Sequence, residues 1–184
     1  MNKRYLWWWT VWIGLASGLF CIIYANLPIM KHNIMWMAFV ALPIYFGVGA
    51  PLKKFPHFFF SMLSGVAWGM VMLFFIGKMM GAGFTAPVSM FVVVGICTTL
   101  CVGLHMILLG NTVFGVVPMI FGGLSMTFCA GGQNLIGVIG SLTGGFLLGV
   151  AISEGGRLMQ KMKYFSEKPE TPEETKAESA EAER

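Results

Sequence analysis

Apolar residues run along this chain in blocks of about 20 rather than in alternation, and clusters of Pro, Gly, Asn and Lys separate the blocks. Six blocks can be delimited, at about residues 5–27, 34–50, 56–77, 87–109, 112–129 and 135–152. The first stops at Pro28, with Lys31, His32 and Asn33 beyond it. The second contains Pro43 and stops at Pro51-Leu52-Lys53-Lys54. Pro87 opens the fourth, where a missing N–H costs nothing. Gly110-Asn111 turns the chain into the fifth, and Gly131-Gly132-Gln133-Asn134 parts it from the sixth. A helix crosses the hydrocarbon core with roughly 20 apolar residues. The pattern therefore predicts an all-α, polytopic membrane bundle of six transmembrane helices occupying residues 1–166.

Composition supports that class. The chain is 57% hydrophobic with a mean hydropathy of +0.76 and 11% charged residues, against about 25% charged in a soluble domain. Residues 79–153 are 75 consecutive positions without a formally charged side chain. Lys3 and Arg4 ahead of an apolar run imitate a signal peptide, but the run outlasts the roughly 7–15 residues of a signal core. An uncleaved first span is expected.

Lysine and arginine set the orientation. Lys3, Arg4, Lys53, Lys54, Arg157, Lys161 and Lys163 fall on one side, and only Lys31 and Lys78 on the other. That asymmetry predicts an inner (plasma) membrane protein with both termini cytoplasmic. Trp7, Trp8, Trp9 and Trp12 read as anchors at one interface, and Trp36 at the opposite one. Seven of the eight acidic residues lie in the 18 positions 167–184, and the eighth is Glu154. That terminal segment, with no large apolar side chain, is expected to be a disordered acidic cytoplasmic tail.

The two halves of the body echo each other. Phe39-x3-Pro43-x2-Phe46-Gly47 returns as Phe114-x3-Pro118-x2-Phe121-Gly122, an offset of 75. Ser61-x3-Gly65-x3-Gly69 returns as Ser141-x3-Gly145-x3-Gly149, an offset of 80. The first and fourth spans show no equal match. Three spans per unit is an odd number, so the echo predicts a 3+3 inverted repeat, an architecture of channels and transporters. Gly14/Gly18, Gly65/Gly69, Gly140/Gly144 and Gly145/Gly149 each put two small residues on one helix face. Such faces let helix backbones approach closely in lipid, within the chain or between subunits of a homo-oligomer.

Three stretches carry a family resemblance: 63–71 (Leu-Ser-Gly-Val-Ala-Trp-Gly-Met-Val), the Pro-x2-Phe-Gly element at Pro118, and 128–133 (Phe-Cys-Ala-Gly-Gly-Gln). In these the chain resembles the bacterial inner-membrane family of unknown function 1097 (YcdZ-like), over roughly residues 11–153. The resemblance implies a small polytopic inner-membrane protein and brings no catalytic or binding residues with it. The acidic tail is not part of the shared pattern.

Candidate chemistry is sparse. Pro43 and Pro118 each interrupt a short span and free backbone groups, which transporters expose to substrate. Ser64, Ser125 and Thr143 offer hydroxyls, Trp68 an indole, and Phe46 and Phe121 an apolar constriction. These eight residues are the candidate solute pathway. Plain helix packing and hydroxyl bonds to the helix's own carbonyls are the competing reading. Cys97, Cys101 and His105 lie along one helix stripe, but one face cannot enclose a metal and no Cys-x2-Cys or His-x3-His pair joins them. No metal or cofactor is expected, and His105 reads as an interfacial residue at a span end. No acid–base set suggests an enzyme. The basic body needs no nucleic acid to explain it. Membrane transporters that couple to ions keep carboxylates in the bilayer, and residues 1–153 contain none. The expected function is passive passage of a small neutral or weakly ionised solute, and the alternative is a non-transporting scaffold or accessory subunit.

Overall fold

In the computed structural model, which describes residues 3–27, 34–49 and 52–162, every regular element is helical. The expected tail at 167–184 lies outside the described residues. Helix α1 covers Lys3–Ala25, and a 3₁₀ turn Met35–Met37 leads into α2, Ala38–Gly47. After a 3₁₀ turn at Leu52–Lys54 come α3, Phe55–Gly81, and α4, Ala86–Gly103. A π-helical turn, Leu104–Leu108, prolongs α4; then come α5, Val117–Cys129, and α6, Leu135–Lys161.

Four of these helices are long and apolar enough to cross a bilayer: Arg4–Ala25, Leu52–Gly81, Ala86–Leu108 and Leu135–Lys161. They mark the chain as an integral membrane protein. The apolar helices Met35–Gly47 and Val117–Cys129 are shorter. At 13 residues, each reaches about 20 Å, less than the ~30 Å of the hydrocarbon core.

The long helices α3 and α6 are central. Helix α6 carries α1 and α2, while α3 carries α4 and α5, so each central helix is clasped by elements from the other half of the chain. Helix α1 runs antiparallel to α6: the Tyr5 hydroxyl reaches the Gly156 carbonyl at 3.5 Å, and Tyr24 meets Ser141 at 2.5 Å. The short helices run parallel to their supports. Gly65 lies on the Ile120 backbone and Gly69 on Leu124 and Thr127, while Gly145 lies on the Ala38 backbone and Gly149 on Leu42 and Tyr45. At Gly65 and Gly145 a Cβ would overlap a carbonyl oxygen of the opposing helix, which a side-chain shift cannot relieve. Between the two assemblies, Tyr45, Phe58, Met62, Met119, Leu142 and Phe146 fill the centre. The rings of Phe58 and Phe146 meet edge to face at 4.4 Å.

Several boundaries differ from the sequence expectation. Helix α6 continues nine residues past 152, through Glu154 and Arg157, which pair with each other one turn apart. The fifth span begins at Val117 rather than 112, because residues 109–116 do not form a helix. Pro118 therefore lies in the first turn of α5 and interrupts nothing, whereas Pro43 sits inside α2. The glycine pairs also divide. Gly65/Gly69 and Gly145/Gly149 make the close approaches expected of them, and Gly144 meets the Phe20 ring. Gly14 and Gly18 face open space.

That division is testable. Gly65→Ala and Gly145→Ala should each cost about 1–3 kcal/mol through backbone overlap, seen as a lower thermal midpoint of the detergent-solubilised chain. Gly14→Ala and Gly18→Ala should leave the midpoint unchanged or slightly raised, since Ala is the better helix former.

Candidate functional site

The most polar place inside the apolar body is where α4 ends and α5 has not yet begun. Turn bonds and the flanking helices satisfy some backbone groups of 109–116, among them the Leu109 N–H and the Val116 carbonyl, and leave others for side chains to meet. Side chains from three elements serve them. Ser61 on α3 donates to the Val113 carbonyl at 3.3 Å and accepts from the Val116 N–H at 3.1 Å. Thr112 donates to the Leu109 carbonyl at 2.7 Å and accepts from the Phe114 N–H at 3.2 Å. His105, from the π-helical turn, takes the Phe114 carbonyl at 2.9 Å.

His105 is the centre of this arrangement and is 2% exposed. A carbonyl only accepts, so Nδ1 carries the proton and donates to Phe114. In the neutral ring Nε2 is then an acceptor, and the Ser64 hydroxyl lies 2.8 Å from it as the donor. Both ring nitrogens are engaged. The ring is buried within the bundle, where it supplies partners that the non-helical segment needs. The extra residue in the π turn widens the helix at this point. Cys97 and Cys101 are buried on the same face of α4.

The other half has a smaller polar contact at the corresponding place on α6. Ser141 donates to the Gly137 carbonyl at 2.6 Å, so the Tyr24 hydroxyl is the donor in its 2.5 Å contact with Ser141.

The eight residues expected to line a solute pathway do not come together. Pro43, Pro118, Phe121 and Ser125 are exposed on the outside of the bundle. The short helices bury another face, formed by Ala38, Ala41 and Tyr45 on α2 and by Met119, Ile120, Gly122, Gly123 and Thr127 on α5. Ser64 is committed to His105. Trp68 packs beside Met72, Ile76, Val93 and Cys97, and Phe46 packs between the central cluster and the one formed by Ala16, Leu148 and Ile152. Thr143 alone keeps an interior position with an unmet bond. Its buried hydroxyl has no partner and borders a gap between Phe55, Phe59, Met62 and Phe146. Thr99, Thr127 and Ser141 bond to carbonyls four residues back in their own helices.

One family match covers residues 10–157, which takes in α2 to α5 whole and most of α1 and α6. The chain belongs to the DUF1097 family, described as "Protein of unknown function (DUF1097)". No curated protein and no solved structure matches it. The DUF1097 match includes Ser61, Ser64, His105, Thr143 and the contacts of Gly65, Gly69, Gly145 and Gly149, and stops at Arg157.

The sequence signalled part of this site. Ser61 and Ser64 stood out as span hydroxyls, and His105 as the imidazole at a span end. Gly110-Asn111 marked a turn, but nothing in the apolar pattern marked 112–116 as non-helical. Gly155-Gly156 was also passed over, although Trp12 and Trp9 seat their indoles against it. Of the tryptophan cluster, Trp7 and Trp8 are exposed as anchors should be, whereas Trp9 and Trp12 face α6.

A double-mutant cycle tests the buried pair. His105→Ala leaves the Phe114 carbonyl and the Ser64 hydroxyl without their partner and should cost about 1–3 kcal/mol. Ser64→Ala should cost less, because the Phe114 bond survives. The coupling in the double variant, read from unfolding midpoints, should be about 1 kcal/mol.

Proposed function

We propose that this DUF1097 chain is a bacterial inner-membrane facilitator that lets a small neutral or weakly ionised solute pass down its own gradient. In this reading the chain crosses the membrane six times as a 3+3 inverted repeat, with both termini cytoplasmic, and is seen here with its centre closed. The observation that carries it is a match of buried faces. All eight buried positions of α3 (58, 61, 62, 65, 66, 69, 72 and 76) fall on buried positions of α6 when 80 is added. Buried Ala38, Ala41 and Tyr45 of α2 likewise fall on Ile120, Gly123 and Thr127 of α5 when 82 is added. The glycine contacts obey the same two offsets: Gly65 on Ile120 answers to Gly145 on Ala38. This replaces the offset of 75 that had paired Pro43 with Pro118.

Inverted repeats with short helices at the junction of the halves are a transporter and channel architecture. The lack of a carboxylate before Glu154 supports passive rather than coupled passage. The unmet Thr143 hydroxyl at the junction is a place where a passing solute would find a hydrogen-bond donor. We propose no catalytic role and no cofactor. A scaffold or accessory subunit is the second reading. It is favoured by the filled centre around Tyr45, Phe58 and Phe146, and by the open Gly14/Gly18 face, which suits a second helix.

Proteoliposomes holding the full chain, tested with a panel of small solutes, decide between these. The expected result is uptake faster than in empty vesicles for at least one solute and indifferent to imposed pH or sodium gradients. Accumulation against a solute gradient would overturn the passive reading, and no acceleration for any solute would leave the scaffold. Thr143→Val keeps the shape and removes the orphan hydroxyl, so it should hold or raise the melting midpoint while slowing uptake. A cytoplasm-only reporter fused after Arg184 should be active if the proposed orientation is right.

A further inference from the structure

At the end of the bundle where α1 starts and α2 and α6 finish, a cleft of about 350 Å³ opens among Tyr5, Trp9, Phe46, Ser153, Arg157 and Gln160. Its polar lining is an indole, a phenol, a hydroxyl, a guanidinium and an amide, with no carboxylate among the lining residues. The indole Nε1 of Trp9 is buried and has no hydrogen-bond partner. Its neighbour Trp12 has one, donating to the Ala151 carbonyl at 3.3 Å. A buried N–H left without an acceptor is costly, and the great majority of such groups are paired. The indole lies in the cleft wall because Gly156 leaves room there: a Cβ at that position would come within 2.7 Å of Nε1. The Tyr5 hydroxyl spans a long 3.5 Å to the Gly156 carbonyl and would gain from a nearer acceptor.

We infer that this cleft holds the phosphate of a phospholipid headgroup. A phosphate diester supplies only acceptors, and the cleft wall is rich in donors. Arg157 brings a planar five-donor fork suited to phosphate oxygens while its Nη1 also meets Glu154. Arg4, Lys53, Lys54 and Lys161 belong to the same end of the bundle, and Lys78 to the opposite end. Cationic residues at a membrane surface attract anionic headgroups. Exposed Trp7 and Trp8, next to Trp9, suit the headgroup level where indoles partition. The inference does not depend on whether the protein conducts a solute.

Native mass spectrometry of the full-length protein, titrated with lipids of matched acyl chains, tests it. Phosphatidylglycerol and phosphatidylethanolamine should be retained about tenfold more than diacylglycerol, which lacks the phosphate. Trp9→Phe, which keeps a ring and removes the N–H, and Arg157→Gln should each reduce that preference several-fold. Lys78→Gln, at the other end, should keep it. Equal retention of diacylglycerol, or an undiminished preference in both cleft variants, would overturn the proposal. Displacement of the lipid by millimolar glycerophosphate or inorganic phosphate would overturn the lipid assignment and give the cleft to a soluble phosphate.

Discussion

Two contacts between backbones, Gly65 on Ile120 and Gly145 on Ala38, set the spacing of the whole bundle. In hydrocarbon, burying an apolar side chain against another gains little over burying it in lipid. Association then depends on how closely the helices approach and how many atoms they bring into dispersion contact. A glycine seat under a carbonyl gives the nearest approach available. Because these seats join α5 to α3 and α2 to α6, each half grips the central helix of the other. Neither half buries its own central helix, so the two assemble together. Helices α1 and α4 are left as outer elements and expose large side chains such as Phe91 and Ile107, both more than 80% exposed.

The second constraint is that the membrane interior leaves no backbone group to water. The gap between α4 and α5 is tolerable because Ser61, Thr112 and His105 replace the missing helical bonds. This gives His105 a physical role. Its Nδ1 meets the Phe114 carbonyl and its Nε2 the Ser64 hydroxyl, so one buried ring ties the π turn to both α3 and the non-helical segment.

The existence of the helices was legible because block length and punctuation are one-dimensional properties. The glycine faces of α3 and α6 were legible too, since close contacts there demand Gly and Ser at four-residue spacing. The buried faces of α2 and α5 were not. Ala38, Ala41 and Tyr45 on one and Ile120, Gly123 and Thr127 on the other share no residue type. The visible Pro-x2-Phe-Gly motif instead matched two prolines of different local meaning: one within a helix, one at a helix start. Of the eight residues of the expected pathway, Pro43, Pro118, Phe121 and Ser125 stand on the outside of the bundle. The π turn and the irregular 112–116 segment were hidden for a related reason. Gly110-Asn111 signalled a tight turn, but the further unwinding through Val116 is held by hydrogen bonds to Ser61 and His105, partners visible only in three dimensions.

What the body offers a solute follows from what it lacks. Glu154 is paired with Arg157 near one end, and the interior polar groups are hydroxyls, one imidazole and backbone carbonyls, most of them bonded to one another. A charged solute would meet no counter-charge at the centre and would carry the full cost of leaving water. A small uncharged solute would meet a different obstacle, the packed rings of Tyr45, Phe58 and Phe146. Edge-to-face rings at such separations are held by modest pairwise terms of about 1 kcal/mol beyond their burial. In the proposed facilitator, these rings are the barrier that a solute would have to displace. At the close glycine seats, sliding α2 or α5 along its support would drive carbonyls into backbone. The scaffold of helices is stiff where backbones touch and compliant where aromatic side chains meet, and Thr143 sits at that compliant place.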